Sequence, residues 1–142
     1  MTTLIDANQI NGGLVKPFPT LADATANLYI EAGDVVNLAE RTTGNGGGGM
    51  WDVISGTSTA NGYNIVAHDT LSLSFVLRVG SLADIRQFGA VGNNSTDDTA
   101  AIQATFNYAE TNNVKVLIPQ AVNKYRITTA IQLKTQHDCV GS

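Results

Sequence analysis

The chain has 142 residues, which is room for one average domain or two small ones. Eight basic residues against twelve acidic ones give a formal charge of −4, so nothing pulls it electrostatically towards nucleic acid or an anionic membrane. A single cysteine, Cys139, excludes a disulfide framework and a cysteine-built metal site, and no apolar run nears the ~18 residues of a transmembrane helix. Met1 to Gly13 has no basic stretch leading into an apolar one, so it does not read as a signal peptide.

Residues 1–19 read as an arm. Leu4, Ile5, Ile10, Leu14 and Val15 are apolar but broken up by Asn8, Asn11, Gly12 and Gly13, and Lys16-Pro17-Phe18-Pro19 imposes an extended path because each proline fixes φ. The segment reads either as a frayed terminus or, because five large aliphatics exceed what a solvated tail needs, as one that orders against a partner. Residues 20–79 read as a small β module. A short helix over Thr20–Leu28, capped by Thr20 or Asp23, is followed by strands around Val35–Leu38, Met50–Ile54, Tyr63–Ala67 and Leu71–Leu77, separated by Gly, Ser, Thr and Asn turns. Four strands with such spacing suggest a small barrel or sandwich, marginal on its own.

The run Gly44-Asn45-Gly46-Gly47-Gly48-Gly49 satisfies the letter of a dinucleotide fingerprint, but a strand-like Met50-Trp51-Asp52-Val53 follows it where a helix is required. It reads as a long hairpin connection, flexible or packed where another backbone comes close. Other chemistry is sparse. His68 and His137 have no neighbours at metal-ligand spacing, and there is no Gly-x-Ser-x-Gly elbow. Trp51 and Tyr63 are the aromatics that a carbohydrate-binding domain would use as stacking platforms, although burial in the core explains them more simply.

Residues 80–142 begin with a linker and then carry the most informative stretch, Phe88 to Leu133. Phe88-Gly89-Ala90-Val91-Gly92-Asn93-Asn94-Ser95 is a turn-rich entry. Thr96 is expected to cap a helix with Asp97 and Asp98 in its first turn, where the macrodipole favours negative charge. On that reading each carboxylate contributes on the order of 1 kcal/mol or less. Ile102, Phe106 and Ala109 form the apolar stripe, and Asn112-Asn113 supplies a left-handed stop. Strands are expected at Val114–Ile118, closed by Pro119, and around Tyr125–Ile127 and Ile131–Leu133.

That order of residues resembles the entry segment of the pectate-lyase-like right-handed parallel β-helix of bacteriophage tailspikes. The matching parts are Phe88-Gly89-Ala90, Gly92, Thr96 to Thr99, Ala100 to Ala109, Val116 to Pro119 and Tyr125. Asn93-Asn94 and Gln120 to Lys124 depart from it, standing where the family has a Gly-Asp type of step and a short Pro-Gly turn. Gly33 to Val36, Arg41 to Gly44 and Trp51 to Val53 resemble a small module that precedes the β-helix in the same proteins.

The fold expected is therefore mainly β: a small β barrel or sandwich, one capping α-helix, and the first strands of a parallel β-helix. The resemblance implies a virion structural protein of the phage tail, the N-terminal attachment and trimerisation part of a tailspike or tail fibre that holds a receptor-binding or polysaccharide-degrading body. It implies a homotrimer docked on a tail or baseplate protein through the arm, with host polysaccharide met only by a part beyond Ser142. Neither the residues nor the resemblance calls for a catalytic residue, a metal or a cofactor here. A polysaccharide lyase or hydrolase in its own right, or a carbohydrate-binding β domain, are the alternatives.

Overall fold

The computed structural model describes residues 15–134 and the backbone of residues 139–141. Its first half is a five-stranded sheet, formed by β1 (Val15–Phe18), β2 (Val35–Thr42), β3 (Gly46–Ser55), β4 (Ile65–Ala67) and β5 (Leu73–Leu77) in the order β1-β2-β3-β5-β4. β1 pairs parallel with β2 and every other pair is antiparallel. β1 and β4 are the two edges, so hydrogen bonding does not close this sheet into a barrel.

Alternation decides which face is buried. Val36, Trp51 and Leu77 lie abreast across β2, β3 and β5, and Val53 faces Phe75 in the next row; all five are buried. The helix α1 (Leu21–Thr25) adds Leu21 and Ala24 to this cluster. Thr20 caps it as expected, and Asp23 completes a reciprocal capping box by accepting from the Thr20 backbone N–H at 3.0 Å. The helix is shorter than the expected Thr20–Leu28 span. The Asn27 side chain accepts the Tyr29 N–H and its carbonyl is held by His68 Nε2, so the chain turns away and leaves Leu28 exposed.

Two segments fall differently from expectation. Val15–Phe18, placed in the arm by its prolines, is an edge strand. Only an edge tolerates Pro17, which has no N–H to give, and Lys16 fixes the strand by reaching the buried Asp34 carboxylate at 2.6 Å. Leu4, Ile5, Ile10 and Leu14 lie outside the described residues. The glycine run is not a connection: Gly46–Gly49 belong to β3, and the turn is confined to residues 43–45.

The second half is built on a parallel sheet, β6 (Leu82–Asp84), β7 (Lys115–Ile118) and β8 (Cys139–Gly141), with Ala83 and Val116 in register and Val116 and Cys139 in register. The helix α2 (Thr99–Asn112) crosses from β6 to β7 and stops at Asn113, whose φ of 52° is the left-handed cap foreseen in the sequence. Ile102, Phe106 and Ala109 are its buried stripe and pack with Ile85, Ala90 and Val116. Tyr125–Ile127 and Ile131–Leu133 are not strands. Of these residues only Arg126 pairs, in a single bridge with Asp97.

The two halves share their interior. Ala83 and Phe88 belong to the same buried cluster as Trp51 and Phe75, and Ala104, Tyr108 and Val114 pack against it. At Gly47, with φ of 74°, an added Cβ would stand 2.7 Å from the Arg86 backbone carbon, so the glycine strand and the 84–88 turn touch backbone to backbone.

Candidate functional site

The junction between the halves contains the polar groups that the sequence singled out. Asp98 occupies the N-cap position of α2, yet its side chain makes no capping bond. It is 1% exposed, and its carboxylate accepts the N–H groups of Val91 at 2.6 Å, Gly92 at 3.2 Å and Arg126 at 3.2 Å. The carboxylate thus ties the entry turn to the segment after β7. Thr96 does not cap the helix. Asn93 captures it instead, Oδ1 accepting the N–H of Ser95 and of Thr96 while Nδ2 donates to the Thr96 hydroxyl at 3.0 Å. The helix therefore starts at Thr99, and neither Asp97 nor Asp98 lies in its first turn.

Asp97 is exposed. Its carboxylate accepts the Thr128 hydroxyl and both the hydroxyl and N–H of Thr99, while Thr99 Oγ1 accepts the Thr128 N–H at 2.9 Å. Those bonds, led by the one from Thr128, lower its pKa to about 2. A carboxylate held ionised in this way accepts hydrogen bonds and does not donate a proton at neutral pH. Both aspartates are occupied as connectors of backbone segments.

Arg41 is the other connector. Its guanidinium lies 5.1 Å from the centroid of the buried Trp51 ring and donates to the carbonyls of Tyr63 and Gln87 at 2.8 Å and of Gly62 at 3.1 Å. Burial lowers its pKa to about 10, so it remains charged at neutral pH. Sequence reasoning missed this residue, because nothing local marks an arginine that will be satisfied by three distant carbonyls.

Two shallow grooves flank the exposed face of α2. One, of about 500 Å³, lies between the helix and residues 129–134 and includes Asp97, Gln103, Gln132 and Lys134. The other, of about 480 Å³, lies between the helix and the 61–64 loop. Tyr63 lines the second, whereas Trp51 is wholly buried and offers no face to a sugar. Among the described residues no cluster of three or more His, Cys, Asp or Glu side chains is placed to hold a metal, and no helix is long and apolar enough to cross a membrane. His68 is a structural residue, its Nδ1 accepting the N–H groups of Thr70 and Leu71; His137 lies outside the described residues. Val15 is 52% exposed on the sheet edge.

No protein-family model and no curated protein matches this sequence. Solved structures do. Tailspike protein 2 of Escherichia coli O157:H7 bacteriophage CBA120, in the form of its enzymatically active domain, superposes on 87% of the chain at 22% identity and a TM-score of 0.62. The tailspike of Acinetobacter baumannii phage AM24 covers 80% at 21% identity and 0.63. WceF of Pantoea stewartii, described as a glycan biofilm modifying enzyme with a tailspike-like parallel β-helix fold, covers 75% at 20% identity and 0.55. The fold is that of a region of tailspike proteins. The chain spans only 16 to 18% of the length of these three structures.

Proposed function

We propose that this chain is a structural segment of a phage tailspike, the base on which a parallel β-helix body stands in the virion tail. The observation that carries the reading is the three-stranded parallel sheet that begins beneath α2. Val116 and Cys139 are paired neighbours separated by one turn of roughly the 20 to 25 residues expected of a β-helix rung. β6, β7 and β8 are its opening strands, α2 covers its leading end, and the five-stranded sheet is the module in front. The engagement of Asp97 and Asp98 with backbone and threonine partners supports a holding role over glycan cleavage.

An equal share of the chain, 87%, superposes on full-length tailspike protein 2 and on its enzymatically active domain, which favours a place at the foot of the body. Attachment to the particle then falls to the segment ahead of β1, with Leu4, Ile5, Ile10 and Leu14. The chain acts as a homotrimer, with Val15, Leu28 and Tyr29 as exposed apolar surface for its contacts.

Grafting tests the base role. The chain replaces the matching segment of the CBA120 tailspike protein 2 domain, and glycan cleavage by the chimera is compared with that of the chain alone. A folded, active chimera beside an inert chain is the expected result. Cleavage by the chain alone, or a chimera that fails to fold, overturns the base role. Deleting residues 1–14, which leaves β1 and the Lys16–Asp34 ion pair in place, is expected to prevent incorporation into spikeless particles in vitro, and normal incorporation would move attachment to the sheet.

A further inference from the structure

We infer that the groove between the 61–64 loop and α2 is a binding site for a short neutral oligosaccharide. Its polar lining includes Asn61, Tyr63, Asn64, Asn107, Tyr108 and Asn112 together with Thr111, and no lining residue carries a charged side chain. An anion or a cation finds no countercharge there. Amides and phenols both donate and accept hydrogen bonds, as the hydroxyls of a sugar do, and two tyrosine rings offer apolar surface to its C–H face. The volume of about 480 Å³ sits within the range of small-molecule sites, roughly 300 to 1,000 Å³.

The walls are fixed before any ligand arrives, which lowers the ordering cost of binding. Arg41 holds the loop by the carbonyls of Gly62 and Tyr63. Asn61 Oδ1 accepts the N–H groups of Tyr63 and Ile65, and Asn61 Nδ2 donates to Asn64 Oδ1 at 2.9 Å. On the helix side the Tyr108 ring is set edge-on to Phe88, centroids 5.3 Å apart. What these bonds leave over is what a sugar needs. Among the described residues, the Tyr63 and Tyr108 hydroxyls, the amide nitrogens of Asn64 and Asn107 and the amide oxygen of Asn112 have no partner. The site is separate from both aspartates and requires only the groove, so it stands or falls independently of the tailspike base role.

The test is an NMR titration of the isotope-labelled full chain with maltotriose, cellotriose, galactotriose and chitotriose, and with trigalacturonic acid as the charged counterpart. At least one neutral trisaccharide is expected to shift the side-chain amides of Asn61, Asn64, Asn107 and Asn112 with a Kd at or below about 10 mM, and the acid is not. The double variant Tyr63→Phe/Tyr108→Phe keeps the packing but loses both hydroxyls, and is expected to bind about tenfold more weakly. Thr111→Arg, at an exposed helix position lining the groove, is expected to abolish the shifts while leaving the circular dichroism unchanged. The inference is overturned by no response to any neutral sugar, by an equal response to the acid, or by wild-type binding in both folded variants.

Discussion

Asp97 and Asp98 are adjacent in sequence and opposite in environment. Asp98 is buried with three backbone N–H groups aimed at it, and removing its carboxylate leaves all three without that acceptor, the Gly92 N–H in a buried position. Asp98→Ala is therefore expected to cost on the order of 3 kcal/mol in a denaturant melt, well above the 1 kcal/mol that a helix-cap role would give. A loss no larger than that of Asp97→Ala would contradict the clamp. Asp97 reports through pH. Its folded pKa is depressed to about 2, so the stability it contributes is present above the ordinary aspartate range and lost as pH falls from about 4 towards about 2. Following the Asp97 carboxyl by NMR should give a midpoint near about 2 in the wild type. In Thr128→Ala, which removes the leading bond, the midpoint should move up; an unchanged midpoint would sink the assignment. The sequence pointed to capping rather than glycoside chemistry for this pair, since adjacent carboxylates do not face each other across a sugar. It did not show which one was indispensable, because the donors on Asp98 come from residues as distant as Arg126.

At the scale of elements, local chemistry was legible and long-range pairing was not. The Thr20 cap and the Asn113 stop are decided within a few residues; Thr20 was one of the two caps expected and Asn113 falls in the expected stop, while the reciprocal bond from Asp23 was not foreseen. β6 is three residues long and finds its parallel partner at Lys115–Leu117, so no periodicity announces it. The glycine run was half legible: the close approach of another backbone was one of its two readings, but its place in a strand was not. Glycine is unfavourable in a strand unless something approaches too closely for a side chain, and that something, Arg86 and Gln87, is nearly forty residues away. The pair Gly44 and Gly47 separates the two effects. Both have φ above +70°, but a Cβ at Gly44 meets open space. Gly44→Ala is expected to cost about 1 to 2 kcal/mol from the left-handed backbone alone, and Gly47→Ala at least about 2 kcal/mol more from the collision with Arg86. Thermal melts of the two variants check this, and equal losses would show that the strand and the 84–88 turn do not pack as described.

For the whole molecule, the expected division at residues 79 and 80 underrates how far the interior is shared. Phe88 and Ala83 complete the cluster around Trp51, and Arg41 binds the sheet to the 87–89 turn, so sheet and helix share one interior. That the chain is mainly β with a single long helix and a strand at Lys115–Ile118 behind it was legible from the Phe88 to Leu133 pattern, whereas the partners of that strand, Leu82–Asp84 and Cys139–Gly141, lie outside it. The openness of the five-stranded sheet was not legible either, because four strands and their turns do not specify which edges meet. The proposed base role requires the chain to associate with copies of itself, and Val15, Leu28 and Tyr29 are exposed apolar surface from which to do so. Sedimentation velocity of the full chain at micromolar concentration is the most direct test of this account. It predicts a species of three chains that persists on dilution, and a well-folded protein that sediments only as a monomer would contradict it.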